Sequence, residues 1–148
     1  MNKYSKAYIF SLLSLVFIAL IGCIIFFWLN WPYNPAYFRT KTNKVITKTV
    51  KAGDVVAFET DYCKNINIPV KVSSSFINGI IFSTPETITN LPVGCNVKTV
   101  YKSVPKELPS GKYYIRTYYR YEVNPIRTIT IQQNTDTFEV INDQDNEK

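Results

Sequence analysis

The sequence predicts an all-β protein, with a single N-terminal transmembrane helix followed by one antiparallel β-sandwich of about seven strands. Three observations predict it. Residues 7–31, AYIFSLLSLVFIALIGCIIFFWLNW, contain no charged side chain. Beyond them, runs rich in β-branched and aromatic residues alternate with a period of two, with turn residues about every 8–12 positions. Nowhere in that second part does an apolar period of 3.6 persist. The expected organisation is a tail and transmembrane helix over 1–31, a linker over 32–43, the sandwich over 44–141 and a disordered acidic tail over 142–148.

Residues 7–29 number 23. As a helix rising about 1.5 Å per residue they cover a hydrocarbon core about 30 Å thick, with room to tilt. Three readings compete for this stretch. A cleaved secretory signal needs a shorter apolar core and small residues before the cut, and 24–29 continue the apolar run. A lipoprotein signal ends in a box that Leu20-Ile21-Gly22-Cys23 resembles, with Cys23 lipidated, but the residues after it are apolar rather than polar. An uncleaved span, which would hold the bilayer through 7–31, fits best. Tyr4 and Tyr8 mark one interface and Trp28, Trp31 and Tyr33 the other, and Pro32 and Pro35 end the helix.

The flanking charges conflict. Lys3 and Lys6 favour a cytoplasmic N-terminus, whereas Arg39, Lys41, Lys44, Lys48 and Lys51 follow the second end. A short tail carrying two lysines is an efficient retained flank, and domains are translocated largely regardless of charge. Two cysteines beyond the span, Cys63 and Cys95, also suit an oxidising compartment. The expected topology is single-pass in the cell membrane, N-terminus in the cytoplasm and domain outside.

In chain order, 44–50 reads as the first strand, from its Val, Ile and Thr content. The second, 55–63, places Val56, Phe58 and Tyr62 on one face and Glu59 and Asp61 on the other. Runs at 68–77 and 80–84 flank Asn78 and Gly79, a hairpin signal whose two residues both accept the positive φ of a type I′ turn. Pro85, Pro92 and Gly94 mark a loop carrying Cys95, and 97–104 is a further strand. The most regular strand is 112–123. Tyr113, Ile115, Thr117, Tyr119, Tyr121 and Val123 fall on one face, and Lys112, Tyr114, Arg116, Tyr118, Arg120 and Glu122 on the other. Short strands at 127–133 and 137–141 close the domain.

Residues 108–115, LPSGKYYI, resemble the entry to the penultimate strand of immunoglobulin-like domains. The resemblance implies an immunoglobulin-like or fibronectin-like sandwich, with Tyr113 as the tyrosine corner whose hydroxyl bonds back to nearby backbone. The chain departs from antibody-type domains: Ile115 stands where a cysteine would, and no Trp lies beyond Trp31. In style, a membrane-anchored chain with one such domain is also similar to small accessory proteins of bacteria and their tailed phages. That likeness implies roles such as virion attachment, envelope passage or exclusion of competing phages.

Charge is split. Residues 39–133 carry 14 basic and six acidic side chains, and 135–148 carry five acidic and one basic. A basic body suits anionic surfaces or simply keeps the domain soluble. The expected partner is a protein or an envelope glycan rather than nucleic acid.

The chain has no His, which removes the commonest general base and metal ligand. Ser73, Ser74 and Ser75 near Lys71 make a weak Ser–Lys pair, and Asp54, Glu59 and Asp61 lack the dense loop of a calcium site. The expectation is a non-enzymatic module with no cofactor and no metal. Cys63 and Cys95 are the candidate disulfide. Tyr114, Arg116, Tyr118 and Arg120 are the candidate binding face, since Arg beside Tyr can stack and grip a glycan, a lipid head group or a partner strand.

Overall fold

The computed structural model describes residues 3–30 and 34–142, as two separate units. The first is one helix, α1 (Lys3–Asn30). Its stretch Tyr8–Asn30, 23 residues of mean hydropathy 2.9, is long and apolar enough to cross a membrane. Trp31, Pro32, Tyr33 and residues 143–148 lie outside the described residues, as do the side chains of Lys3, Tyr4 and Lys6.

The second unit is built of strands: β1 (Ala36–Phe38), β2 (Thr42–Val45), β3 (Thr49–Lys51), β4 (Val55–Lys64), β5 (Val70–Asn78), β6 (Ile80–Ser83), β7 (Thr87–Thr89), β8 (Gly94–Ser103), β9 (Gly111–Asn124), β10 (Arg127–Thr135) and β11 (Phe138–Ile141). They form two layers. In one, β4 pairs over its whole length with β8 and on its other side with β1 and β2. In the other, β9 pairs with β5 on one side and with β10 and β11 on the other, and β5 carries β6 and β7 at its far edge. Splitting β4 and β8 from β5, β9 and β10 in this way gives an immunoglobulin-like sandwich.

Alternation explains the layers. On β9, Tyr113, Ile115, Thr117, Tyr119 and Tyr121 are all buried, and the residues between them are half-buried or exposed. Val56, Phe58, Thr60 and Tyr62 of β4 face them from the opposite layer, and are likewise buried. One apolar cluster joins Val45, Val56, Phe58, Phe76, Ile115 and Phe138, among others, across both layers.

The structure corrects several expectations. The domain begins before residue 44: β1 and the start of β2 lie in the stretch read as a linker, and Asn65 Nδ2 donates to Asn34 O at 2.8 Å. Arg39, in the stretch read as a linker, forms an ion pair with Asp61 at 2.6 Å. Residues 44–50 are not one strand. β2 and β3 are separated at 46–48, where Ile46 and Thr47 donate backbone N–H groups to Ala57 O instead of continuing a ladder. The sandwich is also not purely antiparallel, because β2 crosses between layers. Lys44 and Val45 pair antiparallel with β4, while Thr42 and Asn43 pair parallel with β10, and β3 pairs parallel with β11. Together with the short β7, these divisions raise the number of strands to eleven.

At the β5–β6 connection, Asn78 pairs with Ile80 around Gly79. Only Gly79 takes positive φ, at 67°, so the turn is not type I′. Cys95 lies in β8 rather than a loop. Asn142, placed with the tail, is buried: its Nδ2 donates to Lys106 O at 3.1 Å and Leu108 O at 2.9 Å. Its side chain thereby pins the 106–111 turn to the end of the last strand.

Candidate functional site

The outer face of the second layer is set by register. Going along β9, Tyr114 sits opposite Ile77, Arg116 opposite Ser75, Tyr118 opposite Ser73 and Arg120 opposite Lys71. β6 and β7 extend the same rows, placing Ile81 beyond Ile77 and Ile88 beyond Lys71. The four residues singled out from the sequence thus share one face, bordered by Ile81 and Ile88, which are 64% and 69% exposed.

The four do not behave alike. Arg120 reaches Glu86 at 3.3 Å, and Lys71 beside it pairs with Glu122. Those cations are already matched. Arg116 turns back along its own strand. Its Nη2 donates to the Tyr114 hydroxyl at 3.0 Å, and its guanidinium carbon lies 5.8 Å from the centre of that ring. Its Nε is buried without a hydrogen-bond partner. Arg116 has no carboxylate partner among the described residues, so the face has a guanidinium, braced by a tyrosine, at its middle. Alternation already puts Glu122 on this face, but its pairing with Lys71 across strands, and the approach of Glu86 from a loop, come only from the fold.

Tyr113 projects the other way, into the core. Its hydroxyl donates to Pro109 O at 3.0 Å, four residues upstream, and the side chain is buried. Gly111, two residues earlier, approaches Asn78 so closely that a Cβ there would meet Asn78 Nδ2 at 2.5 Å. Cys23 is exposed and lies inside α1, which continues beyond it to Asn30.

Cys63 and Cys95 are bonded, as directly opposed partners of β4 and β8. Next to Cys63 stands a residue that sequence reading missed. Lys64 is 1% exposed, and its ammonium donates to Ile68 O at 2.7 Å, Leu91 O at 2.8 Å and Asn90 Oδ1 at 3.1 Å. Burial lowers its pKa, and three oxygen acceptors hold the charge in place. Period two carries the inward row Val56, Phe58, Thr60 and Tyr62 on to Lys64, but the strand expected from the sequence stops at 63, one residue short of it.

Beyond Lys64 the interior is aromatic and polar: Tyr62, Tyr119 and Tyr121 pack with Ala36, Val70 and Leu91. Burial raises all three phenol pKa values, Tyr121 to about 12. Thr60 lies close enough to Tyr119 to offset part of the rise there, yet Thr60 Oγ1 and Tyr62 OH are both buried with no hydrogen-bond partner.

No protein-family model and no curated protein matches the chain. Among solved structures it is similar to the CARDB domain of the PF1109 protein from Pyrococcus furiosus, determined in complex with di-metal ions. The identity is 17%, the match covers 72% of this chain and 96% of that one, and the TM-score is 0.36. Similarity that low carries no argument about ligands.

Proposed function

We propose that this protein is a membrane-anchored, non-enzymatic interaction module. α1 holds it in the cell membrane with the N-terminus in the cytoplasm, and the sandwich presents the outer face of β5, β9 and β10 outside to a protein or envelope glycan. The observation that carries the reading is Arg116. It is a guanidinium without a carboxylate partner among the described residues, stacked beside Tyr114 and bordered by exposed isoleucines. Binding hot spots are enriched in Arg and Tyr surrounded by apolar surface. The Cys63–Cys95 bond supports an oxidising location for the domain.

Two measurements test it. In intact cells, a membrane-impermeant maleimide should label Ser83→Cys on the outer face; labelling only after lysis reverses the topology. Partner capture by the full chain in lipid nanodiscs should fall at least about tenfold in Arg116→Ala, the loss expected for one hot-spot residue. Unchanged capture moves the function off this face. Neighbouring genes decide whether the module serves virion attachment, envelope passage, exclusion of competing phages or a bacterial assembly.

A further inference from the structure

The chain enters the domain at one end of the sandwich, and that end differs from the other. Asn34 O accepts the Asn65 side chain, and Ala36 pairs with Lys64 at the close of β4. The Lys64 ammonium ties the same end to Ile68 O and Leu91 O, ahead of β5 and β8. β9 runs antiparallel to β5, so its hairpin with β10 projects there too. The connections gathered at this end, 34–35, 65–69, 90–93 and 125–126, contain no charged residue. At the opposite end, 52–54 and 104–110 bond to each other and carry Asp54, Lys106 and Glu107. Ile126 occupies the tip of the β9–β10 hairpin and is 73% exposed, and Val93 is 50% exposed. Hairpin tips select Gly, Asn and Asp, and an isoleucine so exposed buries little against its own domain. Its backbone N–H is satisfied within the turn, donating to Asn124 Oδ1 at 3.1 Å, so it needs no water to bond it.

We infer that this uncharged end is a lipid-contacting surface, with Ile126 and Val93 seated in the interfacial layer of the bilayer. The contact forms only under the proposed anchoring, on which the inference rests. Three residues, 31–33, separate α1 from Asn34 in the sequence, a tether of at most about 14 Å when fully extended. With α1 in the bilayer, so short a tether returns the entry end, rather than the charged one, to the lipid surface. Apolar side chains bind the interfacial layer in proportion to the area they bury, whereas a charged group placed there must keep its hydration. The composition of the two ends follows that difference. A domain seated on its end leaves the Arg116 face, on the flank of the sandwich, open to a partner.

The test uses the full chain, labelled at isoleucine methyls, in lipid nanodiscs doped with either of two nitroxide lipids and read by nuclear magnetic resonance. An acyl-chain nitroxide should bleach the Ile24 and Ile25 signals, which reports α1 in the bilayer. A head-group nitroxide should bleach Ile126 several-fold more than Ile80, which is 60% exposed but sits at the β5–β6 turn, at the opposite end. Ile126→Asp combined with Val93→Asp should relieve the bleaching of Ile66 and Ile68 several-fold, with near-ultraviolet circular dichroism confirming an intact fold. Bleached Ile24 with Ile126 no more affected than Ile80 overturns this inference and leaves the anchoring standing. Unaffected Ile24 and Ile25 overturn the anchoring, and the lipid contact with it. Unchanged bleaching of Ile68 in the folded variant would make the tether the sole cause, and overturns the inference as well.

Discussion

The two halves of the sandwich interior are built on different principles. Around Phe58, Phe76, Ile115 and Phe138 the core is aliphatic and aromatic carbon, and its one phenol, Tyr113, has its hydroxyl tied to Pro109 O. Around Tyr62, Tyr119 and Tyr121 the same two layers enclose phenols, a buried ammonium and two unpartnered hydroxyls. The first half carries the hydrophobic stability of the domain. The second trades part of that for polar surface, and relies on Lys64 and the disulfide to hold its strands together.

The contrast can be broken by substitution. Phe58→Ala, in the dry half, should cost about 3–5 kcal/mol of unfolding free energy in urea denaturation, through lost burial and a residual cavity. A cost below about 1 kcal/mol would mean that this half is not the stabilising one. Replacing Cys63 and Cys95 together by Ala should cost about 3–4 kcal/mol, from the loop they close. It should also loosen the tyrosine half first, read as faster amide exchange in β8 than in β9.

Alkaline titration reports on the tyrosine half. Tyr62, Tyr119 and Tyr121 have folded-state pKa values raised above the unfolded value of about 10, so the stability they contribute is intact below that pH. As pH rises past it, the unfolded chain releases these protons while the folded one keeps them. Each then removes about 1.4 kcal/mol per pH unit until its folded pKa is reached. Lys64, whose folded pKa is lowered, acts in the opposite direction over its own range. Urea midpoints measured between pH 9 and 11 should fall, and fall less steeply in Tyr121→Phe; a flat profile would show that the phenols are not buried. The smallest effects sharpen the comparison most. Tyr113→Phe should cost about 1 kcal/mol, because Pro109 O loses its donor, whereas Tyr62→Phe should cost nothing, because its hydroxyl has no partner to lose.

Legibility followed the same division. The dry half could be read from period-two alternation, and Tyr113, Ile115, Val56 and Phe58 all face inward as their spacing requires. The apolar helix was equally plain, because a run of 23 residues without charge or proline favours one. The four residues of the outer face could be assigned to one side of a strand, but not distinguished. Glu86, which neutralises Arg120, comes from a loop whose path depends on the fold. Lys64 was hidden for a related reason: its three acceptors include two carbonyls and one amide from segments that only tertiary packing brings to it. The early strands were misjudged because β2 satisfies its backbone with two layers at once, a possibility that side-chain periodicity does not encode.

β8 is an edge. Among the described residues its only strand partner is β4, and its other side runs ten residues with Val97 and Tyr101 exposed. Under the proposed anchoring, copies of the protein diffuse in a plane and meet far more often than they would in bulk solvent, so an open edge of that length invites stacking of one copy on another. Lys98 and Lys102 sit on the inward face of this strand, opposite Thr60 and Val56. Charges turned inward on an edge strand are a known guard against such pairing, because a second strand laid alongside would trap them away from water. Under the proposed anchoring, Lys98 and Lys102 would therefore keep a crowded surface from becoming a nucleus for aggregation.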